Sequence, residues 1–233
     1  MVKRMDEAEF DKYALAYEDQ HRANIAITGE EPSYFAEYKV RLFSEWADPK
    51  PSKIVDFGSG IGNSIPHFRN YFAGSELTCA DISQKSLDFA AKRFPGPERI
   101  LKINPDGIPA PDGSFDAAFS ACVFHHIPHA EHGFWLRELR RVVRPGGAIA
   151  IFEHNPLNPL TVHAVKTCPF DENARLLQAG WLKTSYRDSG WQVLKTRYHL
   201  FFPRFAARLR GLEPLMASVP FGAQYSVFGL RPA

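Results

Sequence analysis

The chain offers few of the features that would settle its class at a glance. Its 233 residues contain three cysteines, Cys79, Cys122 and Cys168, odd in number, widely spaced and without a C-x-x-C pair. Neither a disulfide framework nor a thiolate zinc site is therefore indicated, and a reducing compartment fits best. Nowhere does the sequence run to the roughly 18 consecutive apolar residues that a membrane-spanning helix needs. The opening residues, with Asp6, Glu7, Glu9 and Asp11, hold no apolar signal core. A cytoplasmic protein without stable membrane insertion is expected. Lys and Arg total 28 against 26 Asp and Glu, and the formal charge of +2 is too small to build the field that a nucleic-acid binder uses. Internal repeats and low-complexity tracts are absent too. What remains is the composition of a soluble globular protein, 45% hydrophobic and 23% charged, long enough for one domain with a real core.

Periodicity supplies the next layer. Phe35, Tyr38, Leu42 and Trp46 recur at helical spacing, with Pro32 suited to a first helical turn and Pro49 and Pro51 closing the segment. Upstream, Phe10, Tyr13 and Tyr17 mark one face of a further helix in an acidic stretch, a candidate lid over residues 1–50. From residue 52 strands and helices alternate: strands near 54–57, 77–80, 99–103, 117–120 and 148–152, with helices at 84–93 and 134–143. Such alternation makes a mostly parallel sheet with helices on both faces. After Glu153 it gives way to an irregular, proline-bearing stretch through Pro156, Pro159 and Pro169, then resumes with strands near 193–200 and 225–230. That reads as a single domain with a core at 52–154, a substrate-side insertion at 155–190 and C-terminal strands and helix at 191–233.

The chemistry-bearing residues fall at the strand ends. Ile54-Val55-Asp56-Phe57-Gly58-Ser59-Gly60-Ile61-Gly62-Asn63 is an apolar strand running into a glycine turn, and Asp81 ends the next strand about 20 residues on, the place of a carboxylate that holds a ribose diol. The glycines form G-x-G-x-G, and Asn63 stands where the dinucleotide pattern has its third glycine, which argues against NAD and FAD. Asn104 follows the third strand, Ala121 to His126 the fourth, and Glu153 to Asn155 the fifth. In an open parallel sheet these ends face one crevice.

Those residues resemble the class I S-adenosylmethionine-dependent methyltransferases, in particular the small-molecule enzymes with a methyltransferase type 11 core. The likeness covers about residues 50–154. It rests on the glycine turn, on Ala80-Asp81-Ile82-Ser83, on Ile108 to Asp116, on Val123-Phe124-His125-His126-Ile127, and on Leu136-Arg137-Glu138-Leu139 through Pro145-Gly146-Gly147. It implies a Rossmann-like, doubly wound α/β fold with a mostly parallel seven-stranded sheet whose last strand is antiparallel. It further implies S-adenosyl-L-methionine as cofactor, with S-adenosyl-L-homocysteine as product, and a small-molecule acceptor. Gly58, Ser59 and Gly60 would approach the methionyl part, Asp56 would face its ammonium, Asp81 would accept the ribose hydroxyls and Ile82 would lie against the adenine. Asn104 stands where the family usually has an Asp for the adenine amino group, and Ala121 would complete the wall. Pro145-Gly146-Gly147 and Phe115-Asp116 read as structural, a turn and a strand anchor.

Methyl transfer from a sulfonium is an in-line displacement, so alignment comes first and a base is needed only for acceptors that must lose a proton. His126 and then His154 are the candidates for that base. The histidines His125, His126, His129 and His132 also invite a metal, but Pro128 interrupts them and no carboxylate or cysteine set stands nearby in ligand spacing, so none is expected. Acceptor recognition is expected from residues 10–27, 153–179 and 201–216, the last a core-packed helix with a basic edge. Two other readings stay open: a nucleotide-dependent oxidoreductase and a non-catalytic cofactor-binding partner protein.

Overall fold

The computed structural model describes residues 29–233. The helix expected around Phe10, Tyr13 and Tyr17 lies outside the described residues. Seven strands form one sheet: β1 (Lys53–Phe57), β2 (Glu76–Asp81), β3 (Arg99–Lys102), β4 (Phe115–Ala121), β5 (Val143–His154), β6 (Gln192–His199) and β7 (Gln224–Leu230). Their order across the sheet is β3-β2-β1-β4-β5-β7-β6. Strands β1 to β5 pair in parallel, while β7 runs antiparallel to both β5 and β6. The last strand is thus the antiparallel one, as the resemblance implied.

Two-residue periodicity sorts the core. Ile54 and Cys79 belong to one apolar cluster, whereas Val55 and Ala80 belong to the other, on the opposite face. The first face is covered by α1 (Pro32–Trp46), α2 (Ile65–Tyr71) and α3 (Gln84–Arg93), which contribute Phe43, Phe68 and Leu87. The other face takes α4 (His132–Val142) and α6 (Ala179–Asp188), through Trp135, Leu136, Leu139, Leu182 and Tyr186. Asp56 shares the parity of Ile54, so it points to the α1 side. From β1 the chain turns one way to β2 and β3, and then crosses back to β4 on the other side of β1. The order reverses between β1 and β4, and the loops after these two strands open a crevice there.

Three sequence expectations change. Residues 155–190 are not irregular: they hold α5 (Pro159–Thr167) and α6, because Pro159 takes the first helical turn and the Asn158 side chain caps it, accepting from Thr161 N–H at 3.0 Å. Pro145-Gly146-Gly147 lies within the long strand β5 as a bulge, where the register against β4 slips between Phe115 and Ala117. Residues 201–216 are not a core-packed helix. They form a kinked 3-10 segment, Arg204–Leu212, and a short helix α7 (Glu213–Met216), with Phe205 90% and Leu215 82% exposed.

Asp116 anchors the start of the sheet as its position suggested. Its carboxylate accepts from the backbone N–H groups of Ser52 (3.0 Å) and Lys53 (2.9 Å), and from Arg144 Nε at 2.5 Å. Urea unfolding should find Asp116→Ala less stable by about 1.5–3 kcal/mol, the range for hydrogen bonds to a charged group; a loss within about 0.5 kcal/mol, as for an idle surface residue, would remove this anchor.

Candidate active site

A cavity of about 560 Å³ occupies the crevice. At one end lies the turn after β1. Gly58 N–H and Ser59 N–H both donate to Ala80 O, at 2.8 and 3.1 Å, stitching the turn to β2. Gly58 has φ +77°, and a Cβ there would meet the Val123 side chain at 2.3 Å, so only glycine lets the loops after β1 and β4 close on one another. Gly60, at φ +52°, is different: a Cβ would meet nothing within 4 Å, because the space over it is open.

Two carboxylates flank this turn with opposite hydrogen-bonding states. Asp81 accepts from Gly60 N–H (2.8 Å) and Ser83 N–H (2.9 Å), which fixes its orientation at the cavity wall. Asp56 Oδ2 is buried on the same wall with no hydrogen-bond partner among the described residues, as is Ser59 Oγ. Burial above all, and then the charge of Asp81, push the Asp56 carboxyl up to about 8, against the opposing pull of Lys39. Ile82 and Ala121 complete the wall. Asn104 does not join them: its side chain is exposed and off the cavity, its backbone being tied to Gly107 in a tight turn, while its buried neighbour Ile103 lines the wall instead.

The other end is an imidazole cluster. Glu153, fully buried at the end of β5, accepts from Val123 N–H (3.1 Å) and Phe124 N–H (2.7 Å) through one oxygen and binds His125 Nδ1 at 2.6 Å through the other. Arg175 N–H donates to His125 O at 2.8 Å, docking the segment after α5 onto this loop and bringing in Asp171. Its Oδ1 stands 3.6 Å from His125 Nε2 and 3.4 Å from His126 Nε2. Burial alone would lower the His125 imidazole, but Glu153 and Asp171 outweigh it and hold His125 well above the ordinary histidine range. Burial first, and then the charge on His125, push His126 down to about 3. His154 faces Gln224, whose Nε2 lies 3.3 Å from His154 Nδ1, and it neighbours Cys122.

Three wall residues were not singled out in the sequence, although Cys122 and Asp171 fall within the stretches 121–126 and 153–179 expected to form the site. Lys39 of α1 is buried, and its ammonium donates to Cys122 Sγ at 3.3 Å. Cys122 adopts a left-handed conformation, φ 59°, where β4 ends. Burial would raise its thiol, yet the neighbouring His154 and Lys39 bring it down to about 7. Asp171 is the third. For Lys39 the available signal was a lysine next to Tyr38 on the face of α1 that packs inward; for Asp171 it was membership of the stretch 153–179, since only the fold brings it to the histidines.

Residues 55–151, which build the whole glycine-turn end and the loop after β4, match the family described as methyltransferase domain. That segment is a methyltransferase domain. Over 109 residues it is 32% identical to a demethylmenaquinone methyltransferase of Thermus thermophilus, covering 46% of this chain and 49% of that protein. A trans-aconitate 2-methyltransferase of Acidovorax is 35% identical over 114 residues, 48% of this chain and 42% of that one. A SAM-dependent methyltransferase structure from Thermotoga maritima superimposes with a TM-score of 0.67 at 17% identity, covering 96% and 98% of the two chains, a likeness of fold. The chain spans about half the length of the curated relatives it matches.

The wall of the methyltransferase core suits S-adenosylmethionine. The orphaned Asp56 and Ser59 oxygens would meet its ammonium, the Asp81 carboxylate at the wall would face the ribose hydroxyls, the open space over Gly60 admits a chain, and Ile82 offers an apolar face. The imidazole end depends on Glu153. Glu153→Ala should cost about 3–5 kcal/mol in chemical denaturation, since it leaves His125 and two backbone N–H groups buried without their acceptor; a loss below about 1 kcal/mol would show that the loop after β4 is held by packing instead.

Proposed function

We propose that this chain transfers a methyl group from S-adenosylmethionine to a small-molecule acceptor. One observation carries the proposal: the cavity that begins at Asp56, Gly60 and Asp81 continues without interruption to His126, His154, Leu160 and Phe201. Its volume, about 560 Å³, lies in the range of small-ligand sites. Relatives named for demethylmenaquinone and for trans-aconitate differ in acceptor, so the acceptor's identity is not transferred from either.

When bound, the cofactor supplies an electrophilic methyl on a sulfonium sulfur. The chain's own part is alignment. Asp56 accepts from the ammonium and Asp81 from the ribose, which fixes the donor end. Val165 and Phe201 give the acceptor end apolar walls that limit water there, where an exposed nucleophile would be solvated and slowed. His126, neutral throughout the physiological range, is a poor proton acceptor and orients the acceptor by hydrogen bonding. Where the acceptor must lose a proton, His154 is the group placed to take it, with Gln224 setting its ring.

Calorimetric titration of the purified protein should give binding of S-adenosylmethionine and S-adenosylhomocysteine but not of NAD. Asp81→Ala should weaken both by about 1.5–3 kcal/mol, as for a charge-assisted hydrogen bond. Binding of NAD alone would overturn the reading in favour of an oxidoreductase. The raised Asp56 carboxyl adds a pH signature. Below about pH 8 it carries a proton that must leave when a cation binds beside it, so affinity for S-adenosylmethionine should rise with pH between about 6 and 7.5, approaching tenfold per unit, and Asp56→Asn should flatten the slope. An equal slope in that variant would assign the proton to another group.

A further inference from the structure

The imidazole end of the cavity holds a donor set that alignment of a cofactor does not require. We propose that His125 Nε2, His126 Nε2 and Asp171 Oδ1 form a binding site for one divalent first-row transition-metal ion, with an open coordination position facing the cavity. The three ligand atoms lie within 4.8 Å of one another. The proposal is independent of methyl transfer and departs from the sequence expectation of no metal, because the third ligand arrives from the segment after α5.

Distances make the first argument. The two imidazole nitrogens stand 3.6 and 3.4 Å from the carboxylate oxygen. A charge-assisted hydrogen bond in such a pair would close to about 2.7–2.9 Å. Ligand atoms bound at about 2.1 Å to a tetrahedral ion are separated by about 3.4 Å, which is the spacing seen. Both nitrogen-to-oxygen spacings, and a third that stays within 4.8 Å, leave room for one ion among the three atoms.

The support behind the ligands makes the second. A metal-bound imidazole characteristically donates its other ring N–H to a carboxylate, which fixes the tautomer and the ring plane. Glu153 holds His125 in this way, at 2.6 Å from Nδ1, and is itself fixed by the N–H groups of Val123 and Phe124. His125 Nε2 is then the atom presented to the cluster. Asp171 is held by its own turn, its N–H donating to Cys168 O at 3.1 Å and its carbonyl accepting from Ala174 N–H at 2.9 Å.

Access and chemistry complete the case. All three residues line the cavity, and the His126 side chain is 13% exposed, so an ion has a route in. Two nitrogens and one carboxylate oxygen suit zinc, iron(II) or cobalt over magnesium or calcium, which favour oxygen-only shells. Three protein ligands leave a position for an oxygen donor, which an acceptor bearing a carboxylate, enolate or phenolate would fill.

The test uses the full chain, stripped with a chelator and titrated with Zn²⁺ by calorimetry and with Co²⁺ by absorption. One equivalent of each should bind, and the cobalt complex should show visible d–d bands without a thiolate charge-transfer band. Asp171→Asn and His126→Gln should each weaken Zn²⁺ binding about tenfold or more, while Cys122→Ser should leave it unchanged. Absence of stoichiometric binding by the unaltered chain would overturn the proposal, whether or not a variant folds. So would undiminished affinity in both ligand variants, or a thiolate band that disappears with Cys122→Ser and so places the ion at Cys122 and His154. Since no readout involves methyl transfer, these outcomes are separate from those that test the cofactor.

Discussion

The imidazole end of the cavity depends on one buried carboxylate. Glu153 ends β5 with no solvent exposure, and a charge there is costly unless several donors meet it. Three do: two backbone N–H groups of the loop after β4 and the His125 ring. The consequence is geometric as much as energetic. The two backbone donors fix where the loop leaves β4, so that Gly58 can pack against Val123, and the third fixes the His125 ring. Because His125 O in turn receives Arg175 N–H, the placement of the segment that carries Asp171 is passed on through the same loop. One side chain on a rigid strand therefore positions three otherwise independent stretches of loop.

At the other end, Asp81 and Asp56 show how neighbouring carboxylates acquire separate tasks from their surroundings. Asp81 ends β2 where the glycine turn and the start of α3 both present N–H groups, and it is satisfied before any ligand arrives. Asp56 ends β1 beneath that turn, where α1 covers it and Lys39 offers charge but no hydrogen bond to Oδ2. The first is a preorganised acceptor whose orientation costs nothing on binding. The second is an unsatisfied group that a bound cation would relieve, and part of the affinity proposed for this site would come from removing a defect of the cavity.

Much of this was legible in the sequence because it is encoded locally. Strand, glycine turn and acidic strand end are adjacent in the chain, and their order gives the α/β fold and brings Asp56, Gly58, Gly60 and Asp81 to one cavity wall. Asn104 stands off the cavity for a local reason as well: its backbone is tied to Gly107 in a tight turn with the residue exposed, and the buried Ile103 takes the wall position. Residues 201–216 went wrong because helical spacing of Phe205, Leu209 and Leu212 says that they share a face, not that the sheet covers it. The acceptor end was least legible. Lys39, Cys122 and Asp171 meet only through the closure of α1 and of the segment after α5 over the crevice, and no spacing in a single sequence reports such encounters.

That division is itself a physical statement about how the fold carries function. The donor end is built on β1, β2 and the turns that follow them, where backbone N–H groups and buried strands leave little freedom, and the family match at residues 55–151 coincides with it. The acceptor end adds helices and turns from residues 155–180 and from 200–212, which contribute side chains such as Leu160, Asp171, Phe201 and Arg210 without contributing strands to the sheet. Altering those residues changes the chamber without disturbing the sheet or the glycine turn. On the proposed reading, a rigid donor site joined to an alterable chamber would let one core serve acceptors as unlike as those for which its relatives are named. The histidines stand at the seam: His125 and His126 belong to the rigid loop after β4, Asp171 to the alterable part, and whatever these three hold together is held across both.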